Sequence, residues 1–139
     1  MVVSIVSETH SWSEDNDNRR ASGWNHSRLS PKGRALAAEL GNRRQNDSIA
    51  AAFTSDLRRA VETAEIAFAD TDVPILHDWR LRECNYGTGN GMPAVELHAI
   101  GRPISTGPLR AAGAGCKPST WLAGSSETFG SPTTGAVSW

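Results

Sequence analysis

A histidine, an arginine and a glutamate held together can transfer a phosphoryl group. Imidazole attacks phosphorus, guanidinium holds phosphate oxygens in bidentate fashion, and a carboxylic acid protonates the leaving oxygen. The 139-residue sequence offers such a set in His10, Arg59 and Glu83. Taken singly, each is weak. A lone loop histidine is more often solvated or structural, Arg58 and Arg59 read equally well as a solvated helix face, and "RLRE" (80–83) reads as a charged loop. Their placement carries the information. His10, then Ser55-Asp56 with Arg59, then Glu83 each follow a short apolar run. In an open α/β sheet, ligands bind outside the carboxyl ends of such strands.

The elements that must position these residues are legible in the apolar pattern. The runs at 2–6 ("VVSIV"), 49–53 ("IAAAF") and 73–76 ("VPIL") predict three strands. The stretch 31–44 ("PKGRALAAELGNRR") predicts a helix, with Ser30 as cap, Pro31 at the first helical position, and Arg43 and Arg44 suiting its C-terminal dipole. A second helix is predicted over 56–69, where Leu57, Val61, Ala64 and Phe68 recur at helical spacing and Arg58 precedes Glu62 by one turn. Strand alternating with helix predicts a parallel α/β sheet. Right-handed crossovers would then bring His10, Arg59 and Glu83 to one sheet edge.

Composition narrows the function classes. With 38% hydrophobic and 21% charged residues and a formal net charge of −1, the chain suits one domain and carries no basic stripe for nucleic acid. No apolar run approaches the roughly 18 residues needed to span a bilayer, and the start lacks the basic and apolar regions of a secretory signal. Cys84 and Cys116 are isolated, with no CxxC spacing, so neither a zinc site nor a disulfide framework is expected. No metal or cofactor is expected, and a cytoplasmic location is the default.

Four stretches, in order, resemble the histidine phosphatase (phosphoglycerate mutase-like) superfamily: "THSWSEDN" (9–16), "GWNHSRLSPKGRALA" (23–37), "TSDLRRAVETA" (54–64) and "RLRECNYG" (80–87). They stand against the family texts R-H-G-E-T-x-x-N, G-W-x-x-x-x-L-[ST]-x-x-G-x-x-[QA]-A, S-S-D-L-x-R-A-x-[EQ]-T-A and R-L-R-E-x-x-[FY]-G. The resemblance covers about residues 2–100. It implies a three-layer α/β fold with a parallel sheet, and a phosphomonoester hydrolase or phosphomutase acting on a small phosphorylated substrate through phosphohistidine. Carried over by position, His10 is the nucleophile, Arg59 and Asn16 bind the phosphoryl group, and Glu83 is the proton donor. Ser22, Gly23 and Tyr86 fall where mutase-like members contact substrate.

Two departures weigh against turnover. Thr9 stands where the family has an arginine, so it offers one hydrogen bond but no charge, and Ser11 replaces the family glycine. The second family histidine, expected on a later strand, has no counterpart after residue 98. The alternative reading is therefore a catalytically impaired family fragment that only binds phosphate or a partner. From Arg102 the text turns rich in Gly, Pro, Ser, Thr and Ala with no sustained period, so residues 1–101 are expected to be the N-terminal part of the domain and 102–139 an irregular or disordered tail. Read one base out of register, a GC-rich back-translation from "RPISTGPLRAAGAG" allows H-I-D-R-P-F-A-G-G-S-W, close to the D-x-P-F-P-G-G-E-S of such relatives. An out-of-frame tail is the corresponding expectation.

Overall fold

The computed structural model describes residues 3–99 and, as backbone only, residues 120–124. Three strands, β1 (Ser4–Glu8), β2 (Ile49–Thr54) and β3 (Ile75–His77), alternate with helices α2 (Pro31–Arg44) and α3 (Arg58–Ala67). The short helices α1 (Glu14–Asp17) and α4 (Ala94–Ala99) lie in the connections, with 3-10 turns at Trp79–Leu81 and Gly87–Gly89. Strand β4 (Thr120–Gly124) completes a sheet of order β1-β4-β2-β3. β2 and β3 pair in parallel, and β1 and β2 both run antiparallel to β4, so all three predicted strands point the same way.

β4 was not expected. It is a short Trp-Leu-Ala run between Thr120 and Gly124, too brief and too isolated to stand out by period. Otherwise the expected irregular or out-of-frame tail lies outside the described residues. The sequence also predicts β1 too early, at 2–6 rather than Ser4–Glu8. Among the described residues, no helix is long and apolar enough to cross a membrane. Cys84 is buried and disulfide-bonded, which corrects the expectation of two isolated cysteines; its partner lies outside the described residues.

The sheet has two unlike faces. Leu40 of α2, Ala52 of β2, and Ala67 and Phe68 at the end of α3 form the core, with Val6, Ile49, Val73 and Ile75 packed against it. Strand alternation turns Ile5 and Leu76 the other way, and both are exposed. The two long helices approach closely at Gly41, where a Cβ would meet the Ala67 carbonyl oxygen at 2.3 Å. α2 also presses on the loop after β1, for a Cβ on Gly33 would lie 1.8 Å from the Trp12 carbonyl oxygen. Helix packing thus fixes the chain just beyond His10.

Candidate active site

His10 lies two residues past β1, Arg59 in the first turn of α3 behind β2, and Glu83 in the loop after β3. The structure brings these three together. Arg59 Nη2 donates to Glu83 Oε2 at 2.8 Å, and His10 Nε2 lies 3.7 Å from that same oxygen. Arg59 is wholly buried, and further guanidinium bonds reach the Asn25 carbonyl (Nη1, 2.9 Å) and the Gly23 carbonyl (Nη2, 2.7 Å). Its Nε is buried with no acceptor among the described residues. His10 Nδ1 lies 2.7 Å from the Ser11 carbonyl. A carbonyl only accepts, so the neutral ring carries its proton on Nδ1 and its lone pair on Nε2.

Glu83 is held from several sides. Tyr86 Oη donates to Glu83 Oε1 at 3.3 Å, and Trp24 Nε1–H donates to the Glu83 backbone carbonyl at 2.8 Å. The Arg82 guanidinium lies 4.6 Å over the Trp24 ring and is paired through two bonds with Asp56. Burial pushes the Glu83 carboxyl up, but hydrogen bonding and charge from the His10 ring in its protonated form and from the Arg59 guanidinium outweigh it, so it titrates below the ordinary glutamate range. Burial also pushes the Tyr86 phenol up, helped by the adjacent Glu83 charge.

The remaining predicted residues fall around this centre in different ways. Gly23 contributes its carbonyl to Arg59 from a left-handed backbone (φ +52°), where a Cβ would lie 1.9 Å from Asn90 Oδ1. Ser22 is buried beside it. Asn16 sits in α1, where its amide oxygen accepts from the Ser13 N–H and hydroxyl in a reciprocal cap. Thr9 is exposed at the strand end. Trp24, Asp56 and Arg82 were not singled out as site residues, although all lie inside the family-like stretches. Asn90, which accepts from the Tyr86 N–H at 3.0 Å, carries no signal in the sequence at all.

A protein-family model, the histidine phosphatase superfamily (branch 1), matches residues 9–105. The chain belongs to this superfamily. Among curated histidine phosphatase relatives, the 2,3-bisphosphoglycerate-dependent phosphoglycerate mutase of Corynebacterium jeikeium is 38% identical over 92 residues, covering 63% of this chain and 36% of that protein. Phosphoglycerate mutase 1 of Saccharomyces cerevisiae is 34% identical over 97 residues, 66% of this chain and 39% of the yeast protein. Among solved structures, a phosphoglycerate mutase from Bacillus anthracis superposes with a TM-score of 0.66 at 30% identity, covering 72% of this chain and 46% of that one. A mycobacterial glucosyl-3-phosphoglycerate phosphatase solved with VO3 gives a TM-score of 0.65 at 26% identity, over 76% and 51%. The histidine phosphatase chain described here thus has a phosphoglycerate mutase-like fold, and it spans little more than a third of the length of the curated relatives named.

Proposed function

We propose that the chain performs phosphomonoester chemistry through a phosphohistidine at His10, as a hydrolase or a phosphomutase on a small phosphorylated substrate in the cytoplasm. The observation that carries this reading is the meeting of His10 Nε2, the Arg59 guanidinium and Glu83 Oε2 at the carboxyl ends of β1, β2 and β3. In it, the Nε2 lone pair forms the N–P bond while the P–O bond to the leaving group breaks. Glu83 in its acid form gives its proton to the departing oxygen. Water then attacks phosphorus, the N–P bond breaks back to His10, and Glu83 takes the water proton. Arg59 balances the charge on the phosphoryl oxygens. Thr9 and Asn16 complete the phosphate pocket, and Ser22, Gly23 and Tyr86 line the substrate side.

Glu83 is held ionised in the resting site, so the substrate itself must load the proton donor. A phosphoryl group that engages Arg59 takes over the guanidinium now bonded to Glu83 and adds negative charge beside it. Both effects raise the Glu83 pKa toward the protonated form that the leaving group needs. Without the charge that an arginine at Thr9 would supply, turnover is expected to be weak, so the intermediate is the better readout. Incubation with a radiolabelled phosphomonoester should leave acid-labile, base-stable label on the protein. His10→Ala should abolish that label, and Glu83→Gln should slow its formation by about 10²–10⁴, the usual contribution of a positioned proton donor. Label that survives His10→Ala would overturn the covalent reading.

A further inference from the structure

Asn90 joins two loops that the candidate site needs at once. Its amide oxygen accepts from the Tyr86 N–H at 3.0 Å and from the Trp24 N–H at 3.4 Å, while its Nδ2 donates to Asn85 Oδ1 at 2.9 Å. The first loop lends Arg59 the carbonyls of Gly23 and Asn25, on either side of Trp24. The second follows Glu83 and carries Tyr86, whose hydroxyl reaches Glu83 Oε1. Backbone bonds zip the two loops beyond Asn90, from the Gly91 N–H to the Ala21 carbonyl at 2.7 Å and from the Ala21 N–H to the Met92 carbonyl at 2.9 Å. Gly23 leaves no room for a side chain in this seam, since a Cβ there would lie 1.9 Å from Asn90 Oδ1 and 2.9 Å from Tyr86 Cδ2. From the same seam the Trp24 indole N–H donates to the Glu83 backbone carbonyl at 2.8 Å.

We propose that Asn90 and Trp24 form a clasp that keeps the proton donor in reach once substrate has drawn Arg59 away from it. The inference rests on the reading of Glu83 as proton donor. In the resting site the Glu83 carboxylate is tied directly to Arg59 by a 2.8 Å bond. A phosphoryl group that engages the guanidinium competes for that donor, so the bond that positions the carboxyl weakens at the step that uses it. The Trp24 indole instead holds Glu83 by its main chain. A backbone carbonyl accepts whether the carboxyl is ionised or protonated, and whichever anion Arg59 faces. Asn90 in turn fixes the Trp24 main chain and ties it to Tyr86, so the Glu83 segment keeps its place against the loop that cradles Arg59. Asn90 and Trp24 are therefore positioning residues, acting on departure of the leaving group through Glu83.

Two phosphoryl donors separate this role from a general loosening of the site. Glycerol phosphate needs a proton at its departing alkyl oxygen, whereas p-nitrophenyl phosphate releases a stabilised phenolate that leaves without one. In the full chain carrying Asn90→Ala, phosphohistidine formation should slow on the order of tenfold or more with glycerol phosphate and less than about twofold with p-nitrophenyl phosphate. Trp24→Phe, which deletes the indole N–H and keeps an aromatic ring beneath Arg82, should show the same split, and it replaces Asn90→Ala if that variant does not fold. Equal slowing with both donors, or none with either, would overturn the proposal. Hydrogen exchange of the Trp24 indole N–H, identified by its loss in Trp24→Phe, needs no turnover. Asn90→Ala should speed that exchange by about tenfold or more, and an unchanged rate would also overturn the proposal. Absence of phosphohistidine in the wild type with either donor would sink the covalent reading, and the indole exchange would then decide the clasp by itself.

Discussion

Arg59 donates to two backbone carbonyls and a carboxylate from a site with no exposure at all, so it braces the loop at Gly23 to Asn25 as well as pairing with Glu83. Arg59→Met should therefore destabilise the protein even where no substrate is present, by about 1–3 kcal/mol for each buried acceptor left without a donor. Arg59→Lys should recover only part of this, because an ammonium is a point donor and cannot span both carbonyls as the planar guanidinium does. Urea denaturation measures the effect, and a loss below about 0.5 kcal/mol for Arg59→Met, the range of a neutral surface change, would show that the loop stands without it. Arg59 was legible in the sequence because it follows an apolar run inside "SDLRRA", and so were His10 and Glu83 in their own stretches. Asn90 was not, since an asparagine in a loop has no period and no fixed spacing to mark it. Asn16 shows a different limit: the residue type signals both a phosphate contact and a helix cap, and here its amide oxygen is in the cap.

At the scale of elements, ion pairs at the helix and strand ends join segments that the core does not reach. The paired Arg82 holds the Asp56 carboxyl below its ordinary range despite an opposing burial effect. Burial pushes Glu62 up, yet the Leu29 N–H and the Arg58 guanidinium bring it below the usual value; Glu83 is lowered as well. A carboxyl depressed in the folded state contributes stability that is present above its unfolded pKa and is lost as pH falls through the folded one. The melting temperature should accordingly be level near neutrality and fall as pH drops below the ordinary carboxylate values of about 4. Asp56→Asn should flatten part of that fall; a melting temperature independent of acid pH would contradict the assignment. These same ends show why element boundaries were harder to read than elements. α2 begins at Pro31 as its Ser30 cap predicts, with the Ser30 side chain accepting from Gly33 N–H. α3 begins at Arg58 rather than 56, because Leu57 takes an extended backbone (ψ 131°) and leaves Ser55 and Asp56 to the turn. α1 is a single turn held by Ser13 and Asn16, with no apolar face for a periodicity to reveal.

Over the whole molecule, the described helices cover one face of the sheet and leave apolar side chains on the other. Val3 is 64% exposed, Ile5 59% and Leu76 45%, whereas sheets with parallel strands normally bury both faces. Exposed apolar patches of this kind drive association, and with a net charge of only −1 there is little repulsion to oppose it. Ile5→Lys and Leu76→Lys should lower concentration-dependent light scattering while leaving the melting temperature within a few degrees of wild type. A large drop in melting temperature would mean that these side chains are packed in solution.

The place of β4 between β1 and β2 sets the order in which the sheet can close. Ser4 pairs with Gly124 and Thr54 with Thr120, so β1 waits for a strand far later in the sequence. Until then β2 and β3 can join through their own short crossover, but β1 has no ladder partner among the described strands. Contacts this distant along the chain are entropically slow to form. During that wait the strand carrying the approach to His10 presents an open edge to any neighbouring chain. Synthesis rate and chaperone access would then govern the yield of folded protein as much as its final stability does.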